Sequence, residues 1–112
     1  MIIQKFEDLI AWQKSQELAS LIYKKFQELR DFGFKDQIFR AVISISNNIA
    51  EGFDRSSDKD FIRFLYYALG SCSEVKSMLY LSNKLKFLNY EEASMLLSKV
   101  FRMGRLSTRC AV

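Results

Sequence analysis

Between Asp36 and Gly52 the apolar residues Ile38, Val42, Ile45 and Ile49 fall alternately four and three positions apart, and Gly52 completes the series. That spacing returns to one side of an α-helix at each turn and predicts a helix over about 36–52 with a continuous apolar seam. One column over, Gln37, Arg40, Ser44, Asn48, Glu51 and Arg55 repeat nearly the same interval, so hydrogen-bonding side chains line the helix from end to end. Such a column is either a solvated face or a polar network at a helix or subunit contact, with Glu51 meeting Arg55 or Arg63. The β-branched Val42, Ile43, Ile45 and Ile49 lower intrinsic helix propensity, so neighbours must bury this helix to hold it.

Gly52 closes the run, and Phe53-Asp54-Arg55-Ser56-Ser57-Asp58 reads as a short break. Ser57 suits an N-cap and Asp60 follows three positions later, which predicts a helix over about 58–85. Phe61, Leu65, Ala68, Cys72, Val75 and Leu79 form its seam, while Ile62, Phe64, Tyr66, Tyr67 and Leu69 spread apolar surface nearly all round its first half. A helix apolar on most sides cannot face water. Either several neighbours in one bundle or another copy of the chain must cover the excess, and the second is the favoured expectation.

Two further helices flank this pair. The first, over about 7–30, opens on Glu7 and Asp8 at its positive end and carries Leu9, Trp12, Ala19, Tyr23 and Phe26 as its seam, with Gln16 the one polar intruder and Leu18, Leu21, Ile22 and Leu29 widening the apolar stripe. Gly33 is placed to take the left-handed conformation of a helix C-cap. The last, over about 90–106, begins at Asn89-Tyr90-Glu91-Glu92, an N-cap with Glu at the third helical position. Its apolar side is Ala93, Leu96, Leu97, Val100 and Met103, and Lys99, Arg102, Arg105 and Arg109 share roughly the opposite third of its circumference. After Leu106 the pattern dissolves and fraying is expected. Four helices joined by short breaks predict an all-α, antiparallel up-down-up-down four-helix bundle.

Composition narrows the picture. The 112 residues suit a single domain, 1–112, and the absence of proline with only four glycines favours long helices over strands. No apolar run approaches a membrane span and the N-terminal residues lack signal-peptide anatomy, so a cytoplasmic location is expected. Cys72 falls on a core seam and Cys110 in the tail, which predicts two reduced thiols. With no histidine, imidazole catalysis and histidine-ligated metals are excluded, and neither a phosphate-binding glycine loop nor Cys-x-x-Cys spacing occurs. Glu51 and Glu74 could be written as a carboxylate pair, but nearby arginines favour salt-bridged structural roles. The expectation is no enzyme, no metal and no cofactor.

The net charge is +4: seven basic and seven acidic residues run through Glu51, then ten basic and six acidic follow it. Lys84, Lys86, Lys99, Arg102, Arg105 and Arg109 supply much of the excess. Two readings stand. The cations complement a helix dipole and keep the protein soluble, or they bind the phosphates of RNA or DNA with little sequence specificity and steep salt dependence.

The order Phe6-x-x-Leu9-x-x-Trp12-Gln13-Lys14, Gln37-x-x-Arg40-Ala41, Ser44-Ile45-x-x-Asn48-Ile49-Ala50-Glu51-Gly52-x-x-Arg55, Phe61-x-x-Phe64-Leu65 and Gly70-Ser71-x-x-Glu74 resembles the four-helix-bundle proteins encoded in intervening sequences of bacterial 23S ribosomal RNA genes. The resemblance implies homo-oligomers, commonly ring-shaped pentamers. Through a related branch, the accessory protein of diversity-generating retroelements, it also implies a link to nucleic acid and a nucleic-acid enzyme. Ser46 stands where that family usually has proline, and Leu69 where it usually has arginine. The functional expectation is a non-enzymatic homo-oligomeric scaffold with a basic face that engages RNA or DNA. The alternative is a structural oligomer or protein-partner adaptor without nucleic-acid binding.

Overall fold

The computed structural model describes residues 3–110 and contains α1 (Ile10–Phe26), α2 (Phe32–Phe53), α3 (Asp58–Lys84) and α4 (Tyr90–Cys110). A 3₁₀ turn, Phe6–Asp8, precedes α1. Met1-Ile2 of the N-terminal segment and Ala111-Val112 of the tail lie outside the described residues. α1 packs on α2, α2 on α3, α3 on α4 and α4 on α1, so each helix has two neighbours. Short connections force sequential helices to run antiparallel, and the fold is the expected all-α up-down-up-down bundle.

The central pair packs as its periodicity predicts. Ile38, Val42, Ile45, Ile49 and Gly52 are buried, sharing one core with Leu65, Ala68, Cys72, Val75 and Leu79. Of the five residues that extend apolar surface round α3, Phe64 is buried and Leu69 half-buried within the single chain, whereas Ile62, Tyr66 and Tyr67 stay exposed. At the start of α3 the Ser57 side chain accepts from Asp60 N at 3.2 Å, the N-cap read from the sequence.

α1 departs from its expected seam. Its core residues are Ala11, Ser15, Leu18, Ile22 and Phe26, while Trp12 and Ala19 are half-buried and Tyr23 is exposed and stacked on Phe39. A serine can occupy the seam because its hydroxyl donates to the Ala11 and Trp12 carbonyls, both at 2.9 Å, and so needs no water. Read as polar, Ser15 hides the true phase. The helix is also shorter than 7–30, because Leu9 is extended and α1 ends at Phe26. Gly33 is no C-cap: it lies inside α2, which starts at Phe32 with Asp31 accepting from Phe34 N at 3.1 Å.

Between α3 and α4 the chain turns through Lys86, whose φ of 64° is left-handed. Phe87 N donates to Ser82 O at 2.9 Å and Lys86 N to Asn83 O at 3.1 Å, which satisfies the last carbonyls of α3 in a Schellman arrangement. Asn89 and Glu92 then cap α4 reciprocally: Glu92 N donates to Asn89 Oδ1 at 2.7 Å, and Asn89 N to Glu92 Oε1 at 3.0 Å. α4 does not stop near 106. It runs to Cys110, with Ser107 buried and Cys110 half-buried against the core, and these small residues carry no apolar signal in the sequence.

Candidate nucleic-acid interface

The three-four spacing of Lys99, Arg102, Arg105 and Arg109 puts all four on the solvent side of α4, and all are exposed. After Glu92 that helix contains no acidic residue. Three arginines elsewhere are neutralised locally: Arg40 pairs with Asp36 at 3.0 Å, Arg55 with Glu51 at 3.1 Å and Arg63 with Asp60 at 3.3 Å, whereas Arg30 joins no ion pair among the described residues. The other two ion pairs among the described residues are Lys14–Glu17 and Lys25–Glu92. Lys76, Lys99, Arg102, Arg105 and Arg109 take part in none of them; Lys99 and Arg102 border a depression that also holds Glu17, while the grooves that Lys76, Arg105 and Arg109 line hold no carboxylate among the described residues.

Two grooves between α3 and α4 collect these cations. The larger, about 770 Å³, is walled by Tyr80, Tyr90, Phe101, Arg102, Arg105 and Arg109. The smaller, about 430 Å³, lies between Lys76, Ser73 and Leu69 of α3 and Gly104, Arg105 and Arg109 of α4. Neither groove is lined by a carboxylate. Lys76 Nζ stands 4.8 Å from the centroid of the Phe101 ring, a cation–π contact that ties the two grooves together.

The six basic residues named from the sequence do not form one cluster. Arg102, Arg105 and Arg109 share the larger groove, while Lys99 lies outside it and lines a small depression with Arg102 and with Lys14 and Glu17 of α1. Lys84 and Lys86 sit at the α3–α4 turn, about 28 Å along α4 from Arg109 at 1.5 Å per residue. Lys86 serves there as the left-handed cap residue. Sequence reading also passed over Lys76, Tyr80, Tyr90 and Phe101. The α3 members were detectable, since Ile62, Tyr66, Leu69, Ser73, Lys76, Tyr80 and Asn83 keep a four-three spacing that forms a second column beside the seam.

The column on α2 faces α3. Gln37 donates to Glu74 and Ser71 Oγ to Ser44 Oγ at 2.9 Å, while Asn48 Nδ2 reaches Ser44 O at 2.8 Å and Ser44 Oγ at 2.9 Å. Ser44 and Asn48 are half-buried and the ends of the column are exposed, so it is a helix–helix network at its middle and a solvated face at its ends. Arg55, not Arg63, takes Glu51. Both guanidinium groups lie over the Phe64 ring, at 4.7 and 5.5 Å. Glu51 and Glu74 do not meet as a carboxylate pair: each has its own partner, and Gln37, which holds Glu74, lies about 21 Å along α2 from Glu51.

Burial pushes the Cys72 thiol up to about 11, which suits a packed core group and not a nucleophile. Among the described residues no group of three or more acidic or cysteine side chains could hold a metal ion, and no helix is long and apolar enough to cross a membrane.

The comparisons with known proteins agree with the four-helix fold. A crystal structure of a protein of unknown function from the S23 ribosomal protein family of Bacteroides thetaiotaomicron VPI-5482 superposes with a TM-score of 0.85 at 27% identity, covering 91% of this chain and 98% of that one. No curated protein matches the chain. The family model for the 23S rRNA-intervening sequence protein matches residues 7–109, nearly the whole described bundle, and the chain belongs to that family.

Proposed function

We propose that the protein is a non-enzymatic, homo-oligomeric helical scaffold of the cytoplasm whose α4 surface binds RNA or DNA through phosphates, with a nucleic-acid enzyme as its working partner. The observation that carries the binding is the charge pattern of α4: Arg40, Arg55 and Arg63 each have a carboxylate within four positions, whereas α4 has no acidic residue after Glu92 and its Arg102, Arg105 and Arg109 join no ion pair among the described residues. Unpaired cations gathered on one groove release condensed counterions from a polyanion, which makes binding steeply salt-dependent and nearly indifferent to base sequence.

Association between copies is supported by apolar surface on two separate sides of the bundle. Tyr23 and Ile43 are exposed on the α1–α2 side, and Ile62, Tyr66 and Tyr67 on the first half of α3. Two different patches pair head to tail and close a ring if the rotation allows, which suits the pentamer implied by the family resemblance.

Light scattering after size exclusion, with and without added RNA, tests both parts. A multimer that takes up RNA is the expected result, and a monomer at high concentration would end the oligomer reading. Filter binding at low salt should detect RNA and lose it when Lys99, Arg102 and Arg105 are replaced by Glu. Retention of binding by that variant would remove α4 as the surface, and recovery of a protein partner after nuclease treatment with no RNA binding would favour an adaptor.

A further inference from the structure

We infer that the α3–α4 grooves take single-stranded rather than duplex polynucleotide, with Tyr80, Tyr90 and Phe101 as base-stacking platforms and Lys76, Arg105 and Arg109 as phosphate contacts. The inference rests on the polyanion-binding reading of α4 and names the substrate class for that surface. A helix face that bound only duplex backbone would need cations alone. Here three aromatic rings stand among them, 60%, 76% and 62% exposed for Tyr80, Tyr90 and Phe101. All three line the same groove as Arg105 and Arg109.

Rings this exposed bury little when the bundle folds, so the core does not account for them. Unstacked bases offer flat apolar faces that such rings can cover, whereas bases inside a duplex are already stacked and present only groove edges and phosphates. Cations and rings alternate along the surface: Lys76 and Tyr80 are one helical turn apart on α3, and Phe101 and Arg105 one turn apart on α4. Lys76 Nζ lies over one face of the Phe101 ring, 4.8 Å from its centroid, so a base would stack on the opposite face with an ammonium directly behind the ring. A single strand needs that pairing, because each nucleotide brings a base and a phosphate together.

Fluorescence anisotropy tests this on the intact chain with labelled oligo-uridine, oligo-thymidine and a duplex, each of about 15 units, the span expected for a groove-tracking strand. Both single strands should bind more tightly than the duplex at equal salt. Phe101→Leu and Tyr80→Leu keep apolar bulk and should each weaken single-strand binding about tenfold while barely changing duplex binding. Arg105→Glu should weaken both. Circular dichroism of each variant confirms that the helices persist. Equal affinity for duplex and single strand, with no loss in the ring variants but loss in Arg105→Glu, would overturn the single-strand inference and leave phosphate binding standing. No binding of any oligonucleotide at low salt would overturn both.

Discussion

Gly52 lies directly beneath Phe64: a methyl group built on the glycine would overlap Phe64 Cβ and stand 3.2 Å from Phe64 Cγ and 3.3 Å from Phe61 Cδ1. Because Cβ is fixed to the backbone, no rotamer change relieves that overlap, and α2 and α3 would have to separate. Gly52→Ala should therefore destabilise the protein by about 1–3 kcal/mol despite alanine's better helix propensity. Gly70, mid-α3 and with open space at its Cβ position, is the internal control. Gly70→Ala should stabilise by about 0.5–1 kcal/mol. Opposite signs in thermal or denaturant unfolding are the expected outcome, and the same sign for both would mean the close approach is not felt.

Ser46 joins α1 to α2. Its hydroxyl accepts from Gln16 Nε2 at 3.0 Å and donates to Ile43 O at 3.2 Å, so the polar intruder on α1 and the buried serine on α2 satisfy each other. A double-mutant cycle of Gln16→Ala and Ser46→Ala should give a coupling of about 0.5–1.5 kcal/mol. Ser107 offers the contrasting case, since it is fully buried and its hydroxyl has no partner among the described residues. Ser107→Ala should raise stability by about 1 kcal/mol.

Glu92 couples the α4 cap to α1. Its carboxylate accepts from Asn89 N and from Lys25 Nζ at 2.9 Å, and these two bonds, the backbone one foremost, hold its pKa below the ordinary 4.5. A depressed carboxylate contributes stability above its ordinary pKa and loses it as pH falls through the folded value. Glu92→Gln should thus be less stable than the parent near neutral pH, and the two unfolding curves should converge in acid. Parallel curves across that range would show that the carboxylate's charge does not matter.

Cys72 should be inert to alkylation in the native protein at mildly alkaline pH. Burial raises its pKa to about 11 against a partial lowering by Lys76, so little thiolate is present, and although Cys72 forms part of the floor of the smaller groove it is only 3% exposed there. Iodoacetamide labelling followed by mass spectrometry should find Cys72 modified in denaturant and protected without it. Rapid native labelling would mean that the α3–α4 groove opens onto the core.

The spacing of letters by itself determined the all-α bundle, the buried faces of α2 and α3, and the caps at Ser57 and Asn89. Each of these depends on residues within one or two turns of the same helix, where periodicity and cap chemistry operate. The phase of α1 needed the tertiary structure, because Ser15 can be buried only once its hydroxyl returns to its own backbone. The role of Gly52 needed it too, since only the approach of Phe64 makes a side chain impossible there. The candidate site divides in the same way. The letters placed Arg102, Arg105 and Arg109 on one side of a helix with no acidic residue after Glu92, and the pairs that neutralise Arg40, Arg55 and Arg63 are also local, three or four positions apart. Only the packing of α3 on α4 set Lys76, Tyr80 and Phe101 beside the arginines, ran the larger groove as far as Tyr90, and left Lys84 and Lys86 at the turn outside its lining.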